Sequence, residues 1–367
     1  MTGSDARWMR LALSLGARGQ GRTWPNPAVG CVIVKGERVL GRGWTAPGGR
    51  PHAEPRALDQ AGAGARGATA YVSLEPCAHH GQTPPCVEAL ISASVARVVV
   101  AMEDPDPRTR GQGVARLRDA GIAVTEGVLR DEAARAHSGF VSRITRGRPA
   151  LTLKLAGSFD GRIATASGES RWITGDLARR AVHGMRARHD AVMVGAGTVR
   201  TDDPNLTVRG LGVAHQPVRV VISRRLDLPS DSVLAQNAHE VPLWLCHGED
   251  AAGGVQAAWR DRGARLIPCA TAPWGQLDLS DVMEALGREG LTRVFCEGGG
   301  ALAASLLTAD LVDDLVGFTA GIALGAEGQP AIGAMGVAAL GEAPRFILRD
   351  TRAIGPDILH RWTRGPV

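Results

Sequence analysis

Aromatic side chains are scarce in this chain of 367 residues, with one tyrosine, five phenylalanines and eight tryptophans. The apolar content of 44% must therefore come from aliphatic residues and alanine, which predicts a core of many small contacts. No apolar run approaches the length of a membrane span, and the opening Met1-Thr2-Gly3-Ser4-Asp5-Ala6-Arg7 has no signal-peptide core, so a cytoplasmic location is expected. A dense basic run with interleaved aromatics is also missing. The net charge of +5 is spread among 37 acidic residues and fits phosphorylated small molecules better than nucleic acid. The glycine run Gly298-Gly299-Gly300 is not a G-x-G-x-x-G fingerprint, so a standard dinucleotide-binding domain is not supported there. Cysteine is sparse: of the six, Cys31, Cys246, Cys269 and Cys296 lie in apolar strand-like runs and read as buried free thiols of a reducing compartment. The length exceeds what one core usually serves, so two domains are expected.

What is present is concentrated in residues 51–86. Pro51-His52-Ala53-Glu54 is followed, after a predicted helix and strand, by Leu74-Glu75-Pro76-Cys77 and then Pro84-Pro85-Cys86. One imidazole and two thiolates suit tetrahedral zinc, and three protein ligands leave a fourth position for water. Glu54 is then a proton shuttle rather than a ligand. H-x-E, a Pro-Cys and a second Cys form the signature of zinc nucleobase deaminases, although the spacing from Cys77 to Cys86 is longer than C-x-x-C. The alternative is a closed site in which His79 or His80 completes Cys77 and Cys86, with His52 elsewhere.

Periodicity places these residues on elements. Ser4 is positioned to cap a helix carrying Trp8, Leu11, Ala12 and Leu15 on one face. Val29 to Val34 and Val39 to Trp44 read as strands, and Pro55 is tolerated only in a first turn, which puts His52 and Glu54 at a helix N-terminus. Strands over 68–74, 97–102 and 122–125 alternate with helices over 84–93 and 114–120, and Ala133, Ala136, Phe140 and Ile144 share a helical face. This alternation implies an α/β sandwich with helices on both faces of a sheet. Arg146-Gly147-Arg148-Pro149 reads as a linker. Beyond it, strands are expected over 151–156, 191–194, 218–222, 242–246, 264–268 and 292–296. Helices are expected after a Thr174 cap, over 281–286 and over 301–307. The last strand ends at Glu297-Gly298-Gly299-Gly300, and a strand, glycines and a helix N-terminus together form a geometry that cradles phosphate.

Taken together, these residues resemble the bifunctional riboflavin-biosynthesis deaminase/reductase family. The resemblance is carried by Pro25-Asn26-Pro27, Val29-Gly30-Cys31-Val32-Ile33, Pro51-His52-Ala53-Glu54 and the stretch from Leu74 to Cys86. In the second half it is carried by Lys154-Leu155-Ala156, Asp160-Gly161, Ser167-Gly168-Glu169-Ser170, Trp172-Ile173-Thr174, Gly197-Thr198-Val199, Asp202-Asp203-Pro204 and Glu297-Gly298-Gly299. It covers nearly the full length and implies an α/β protein of two domains. A cytidine-deaminase-like three-layer sandwich over residues 1–147 would be followed by a dihydrofolate-reductase-like domain over 148–367. The first would hydrolyse the amino group of a diamino-ribosylamino-pyrimidinone phosphate, and the second would reduce the ribose to ribityl with NADPH.

By the resemblance, His52, Cys77 and Cys86 bind zinc, Glu54 is the acid/base and Asn26 contacts the deaminase substrate. Ala156, Trp172, Thr198, Asp202 and the run Gly299, Gly300, Ala301, Leu302, Ala303, Ala304 and Ser305 fall near NADPH. Lys154, Ser170, Arg186, Leu206, Arg209 and Glu297 fall near the second substrate, with Arg186 and Arg209 suited to its phosphate. Homo-oligomers are implied as well, with small phosphorylated pyrimidines as the partners and neither nucleic acid nor membrane.

Five positions depart from the family's usual residues. Thr45 stands where many members have histidine, and Gln82 where lysine or arginine is frequent; both resemble deaminase substrate contacts. Ser223-Arg224 replaces an acidic-then-small pair at a cofactor contact, and Phe159 replaces a leucine. Two competing readings are a deaminase of another pyrimidine with a non-reducing C-terminal binding domain, and a non-catalytic zinc protein. The intact set His52, Glu54, Cys77 and Cys86 speaks against the second.

Overall fold

The computed structural model describes residues 3–81 and 83–365 and divides into two compact units, Met1–Gly147 and Arg148–Val367. The first unit runs α1 (Gly3–Gly16), β1 (Gly30–Lys35), β2 (Arg38–Trp44), α2 (Ala53–Ala61), β3 (Thr69–Val72), α3 (Cys86–Ser92) and β4 (Arg97–Val100). It ends with α4 (Gln112–Asp119), β5 (Ala123–Glu126), α5 (Arg130–Ala136) and α6 (Ser138–Arg146). Its sheet has the order β2-β1-β3-β4-β5, with β1 antiparallel to both neighbours and β3, β4 and β5 parallel.

Residues of β1 alternate between two cores, as a strand covered on both faces must. Cys31 and Ile33 join Ala57, Val87, Leu90 and Leu117, from α2, α3 and α4. Val32 and Val34 join Trp8, Met9, Ala12 and Leu15 of α1 on the other side. A buried polar clasp fixes α1 as well: Tyr71 donates to Asp5 at 2.9 Å, and the Arg97 guanidinium forks onto the same carboxylate at 2.9 and 3.0 Å. Ser4 lies inside α1 rather than ahead of it. The single helix expected through Ala133 and Ile144 is divided at His137, whose Nε2 turns inward to within 3.2 Å of the Ser73 carbonyl and 3.1 Å of its hydroxyl. Two glycines of β2 let α2 lie directly on the sheet. A Cβ at Gly43 would stand 2.0 Å from the Ala53 carbonyl oxygen, and one at Gly41 2.0 Å from that of Ala57.

The second unit continues with β6 (Ala150–Ser158), β7 (Arg162–Ala164), α7 (Asp176–Arg186), β8 (Ala191–Gly195), α8 (Ala196–Asp202), β9 (Val218–Ile222), α9 (Val233–Gln236) and β10 (Leu243–His247). Then come α10 (Gly253–Asp261), β11 (Arg265–Pro268), α11 (Leu279–Arg288), β12 (Arg293–Cys296), α12 (Gly300–Thr308), β13 (Asp314–Ala320), β14 (Gln329–Pro330), β15 (Phe346–Ile354) and β16 (Asp357–Arg364). Nine strands form one sheet in the order β11-β10-β9-β8-β12-β6-β13-β16-β15. The seven from β11 to β13 are parallel, and the β15–β16 hairpin adds antiparallel at one edge.

Sequence order runs outward from β8 through β9 and β10 to β11, then returns to insert β12 between β8 and β6. That reversal opens a crevice at the carboxyl ends of β8 and β12, where open α/β sheets place their ligands. Gly175, not Thr174, is the residue ahead of α7, and its N–H donates to Asp357 at 2.8 Å. Arg148, expected in a linker, is instead a buried part of the second unit, forked onto Asp313 at 2.8 and 3.2 Å. Among the described residues no helix is long and apolar enough to cross a membrane.

Candidate active sites

In the first unit two helix N-termini converge. His52 is the N-cap residue of α2, with extended backbone, and Cys86 is the first residue of α3. Cys77, on the loop after β3, lies between them. His52 Nδ1 is 3.3 Å from Cys86 Sγ and 3.7 Å from Cys77 Sγ, and the Cys86 N–H donates to Cys77 Sγ at 3.3 Å. The three donor atoms lie within 4.8 Å of one another, the only such group of metal-competent side chains among the described residues. Three donors of an N/S2 set at that separation fit a single zinc ion.

Hydrogen bonding from Cys86, opposed by burial, holds the Cys77 thiol well below its usual range, while Cys86 is pushed up. Glu54, in the first turn of α2, is 3% exposed; burial first, and then the Cys77 charge, raise its carboxyl. A carboxyl poised towards protonation beside a metal-competent cluster can take and return a proton. His79 and His80 turn elsewhere, to Thr109 at 3.1 Å and to Glu88 at 3.2 Å.

The surrounding polar contacts were only partly legible. Glu75, read merely as part of a motif, accepts four backbone N–H groups, from Asp104, Gly111, Gly113 and Val114, at 2.9 to 3.1 Å. It ties the segment carrying Cys77 to the 104–114 loop. A Cβ at Gly113 would meet the Pro76 carbonyl oxygen at 2.1 Å, so the Gly111-Gln112-Gly113 spacing was the available signal. Behind the cysteines, burial raises Asp104 to about 7. Asn26 donates to the Gly49 carbonyl at 3.2 Å, bracing the loop that leads to His52. Thr45 is 2% exposed, and its hydroxyl accepts from Val29 N–H and donates to the Pro27 carbonyl, each at 3.0 Å. It is a backbone brace and presents no group to a substrate. Gln82 lies outside the described residues. A cavity of about 640 Å³ lined by Leu11, Arg18, Arg42, Trp44 and Arg56 shares no residue with the His52 cluster.

The second site lies along the carboxyl edge of the large sheet. Lys154 on β6 and Glu297 after β12 come from neighbouring strands, and Arg186 ends α7. Arg186 forks onto Glu297 at 2.5 and 3.0 Å and donates its remaining arm to the Thr207 carbonyl at 2.8 Å. Both side chains are nearly buried, at 11% and 10% exposure. Its guanidinium is therefore fully engaged, and of the two arginines considered for phosphate, Arg209 is the exposed one. Burial lowers Lys154, against the pull of Glu297; burial would raise Glu297, but Arg186 outweighs it and holds the carboxyl below its usual range.

Leu206 has φ of +60° and a side chain packed in the core with Val194 and Val199, so only its backbone can face a ligand. Ser170 and Ala156 are half-buried, and Asp202 is exposed at the end of α8, where its carbonyl accepts from Arg171 at 3.0 Å. Trp172 is 69% exposed, with the Arg179 guanidinium 4.5 Å over its ring. Gly299 precedes α12, no side chain caps that helix, and the Gly299 N–H donates to Thr198 at 3.3 Å, joining the turns after β8 and β12. A Cβ at Gly299 would approach nothing closer than 3.8 Å, which leaves the open backbone cradle a pyrophosphate needs. Further along α12, Ala303 and Ala304 are buried, while Ala301 and Ser305 border a cavity of about 430 Å³.

A deaminase-type metal centre in one unit and a reductase-type sheet edge in the other define a two-activity metabolic enzyme of α/β architecture. The family of the cytidine and deoxycytidylate deaminase zinc-binding region matches residues 2–102, and that of the RibD C-terminal domain matches 149–360. Riboflavin biosynthesis protein RibD of Escherichia coli is 41% identical over 96% of this chain and 98% of its own length. The solved structure of Acinetobacter baumannii RibD, form 1, superposes with a TM-score of 0.87 at 38% identity, covering 99% of each chain. That of the Thermotoga maritima diaminohydroxyphosphoribosylaminopyrimidine deaminase/5-amino-6-(5-phosphoribosylamino)uracil reductase gives 0.85 at 32% identity, covering 98% of this chain and 99% of that one. The chain belongs to the RibD family, with a cytidine-deaminase-like domain followed by a dihydrofolate-reductase-like RibD reductase domain.

Proposed function

We propose that His52, Cys77 and Cys86 hold the zinc ion and Glu54 moves protons in the deamination of 2,5-diamino-6-(5-phosphoribosylamino)pyrimidin-4-one. The second unit then reduces the ribosyl group of the product to ribityl with NADPH. The observation that carries the reading is the convergence of three donor atoms within 4.8 Å beside a buried Glu54. When bound, zinc supplies Lewis acidity that brings the pKa of a water down to about 7. Glu54 accepts a proton from water, hands it to the pyrimidine ring nitrogen and serves the departing ammonia in turn. Asn26 braces the substrate-side loop.

In the second unit NADPH supplies the hydride. Lys154 and Glu297, the latter oriented by Arg186 on the substrate side, hold the opened sugar, and the exposed Arg209 takes its phosphate through paired hydrogen bonds. Ala156, Trp172, Thr198 and Asp202 line the cofactor's path, and the backbone from Gly299 to Ser305 receives its pyrophosphate. Ser170 and the Leu206 backbone complete the substrate side. Residues 1–147 carry the first activity and 148–367 the second, in a cytoplasmic homo-oligomer that acts on small phosphorylated pyrimidines.

The test is ammonia release from the diamino substrate without NADPH, followed by addition of NADPH. Ammonia in the first stage and cofactor oxidation only in the second support the reading. A zinc-loaded chain that releases ammonia from cytosine compounds and never oxidises NADPH would replace it with the deaminase-only alternative.

A further inference from the structure

The cavity of about 640 Å³ at the edge of the first unit's sheet has no role in either activity. Three elements build it by their own periodicities. Arg42 and Trp44 lie two residues apart on one face of β2, and Leu11 and Leu15 stack four apart on α1, with Arg18 close behind. Arg56, Asp59 and Gln60 share one face of α2. Because Gly41 and Gly43 let α2 lie directly on β2, these side chains reach round the edge strand.

Strand addition is blocked here, because the outward polar groups of β2 are already taken. The Arg42 N–H donates to the Gln60 side chain at 2.7 Å, and the Trp44 carbonyl accepts from Arg56 at 2.7 Å. What stays available is positive charge. The Arg56 guanidinium lies 4.6 Å from the Trp44 ring centroid and that of Arg18 5.1 Å. A guanidinium held by its face against an indole keeps the N–H groups in its plane for an acceptor. Arg42 borders the same cavity and is exposed. Asp59 is the single carboxylate of the lining, and among the described residues none of the three arginines forms an ion pair. Leu15, buried, and Leu11, half-buried, add an apolar floor.

We infer that this cavity is a separate binding site for a mononucleotide-sized anion, a phosphate ester that carries a flat ring. Arg18, Arg42 and the remaining N–H groups of Arg56 take the phosphate through charge-assisted hydrogen bonds. The ring lies on the Leu11 and Leu15 floor, where Asp59 and the Gln60 amide N–H groups meet its polar edge. The volume is that of a small-molecule site, and a bare phosphate would leave the floor uncovered. A pyrimidine or a purine ring satisfies the same chemistry. The inference stands apart from both activities.

The experiment is calorimetric titration of the full chain, with excess NADPH present, using uridine 5′-monophosphate, adenosine 5′-monophosphate, adenosine and inorganic phosphate. It compares wild type, Arg18→Ala, Arg42→Ala and Arg42→Lys. Wild type is expected to bind at least one monophosphate about ten-fold or more tightly than adenosine or inorganic phosphate, and the tighter of the two identifies the ring. Arg18→Ala and Arg42→Ala should each weaken that monophosphate about ten-fold, and Arg42→Lys should recover part of the loss. Both side chains are exposed, so the thermal midpoint should not move. Alanine variants that bind the monophosphate as wild type does place it elsewhere and overturn the inference, as does a wild type that binds neither monophosphate. Inorganic phosphate bound as tightly as the nucleotides means an adventitious ion only and overturns it too. So does a change in sedimentation of the unliganded chain on Arg42→Ala, which would make this face a contact between copies.

Discussion

The two sites are built on opposite principles. In the first unit the functional atoms come from one stretch of chain, residues 52–86: two helix N-termini bring His52 Nδ1 to 3.3 Å from Cys86 Sγ, and the loop after β3 sets Cys77 Sγ 3.7 Å from the same nitrogen. In the second they come from strands and helices scattered between residues 154 and 297, and they meet only because β12 returns to the middle of the sheet. The first site holds unlike donors that need a cation between them. The second already contains its own counter-charges, Arg186 and Lys154 against Glu297, and leaves open backbone for a long ligand. A metal centre can be compact because one ion organises it; a dinucleotide site must be as wide as the ligand.

The sharpest way to break this comparison is Glu54→Gln. It should lower ammonia release by about 10²- to 10⁴-fold without altering zinc content or reduction of pre-deaminated substrate. A parallel loss of reduction would mean that the sites are not separable. Next, Glu297→Ala strands the Arg186 charge in a nearly buried position, which should cost about 3–5 kcal/mol in thermal unfolding and abolish reduction while deamination continues. Pairing Glu297→Leu with Arg186→Met should restore most of the stability and none of the reduction.

Glu75→Gln weakens a carboxylate that accepts four N–H groups. Destabilisation of about 3 kcal/mol is expected, with faster zinc loss on dialysis, and a variant that holds zinc as wild type does would remove Glu75 from its bracing role. The smallest effect is one of pH. Burial pushes His189 down to about 3, and its two nitrogens sit 2.8 Å from the Met185 carbonyl and 3.0 Å from Thr152. Folded protein keeps it neutral, while unfolded chain protonates it below about 6.5. Its contribution is therefore complete above that pH and declines as pH falls towards 3. Hydrogen exchange of β6 and α7 amides should report a loss of about 2 kcal/mol between pH 6.5 and 5, and His189→Gln should flatten that slope.

The same contrast explains what could be read from sequence. Contiguous signals survived: H-x-E before a helix, Pro-Cys after a strand, and strands buried on both faces. The α2 boundary followed because Pro55 admits only a first turn. Signals that depend on tertiary partners did not. Along β15 every inward residue is only half-buried, so the period-2 alternation that marks a strand is too weak to see. Thr174 has capping chemistry, but the chain turns at Gly175 because Asp357, far away in sequence, takes its N–H. Arg148 looked like linker until Asp313 was seen beside it, and Arg186 looked free until Glu297 and Thr207 were. The residues of the second site were named through family resemblance alone, since no local pattern announces a site whose parts lie more than a hundred residues apart.

The measurement that tests the central claim most directly supplies deaminated, unreduced intermediate and NADPH to zinc-loaded Glu54→Gln and Glu297→Gln chains. Two separable chemistries in one chain predict that Glu54→Gln reduces it at the wild-type rate. Glu297→Gln, given the diamino substrate instead, should release ammonia and stop at the intermediate. A Glu54→Gln chain that cannot reduce supplied intermediate, at wild-type zinc content and NADPH affinity, would contradict the account.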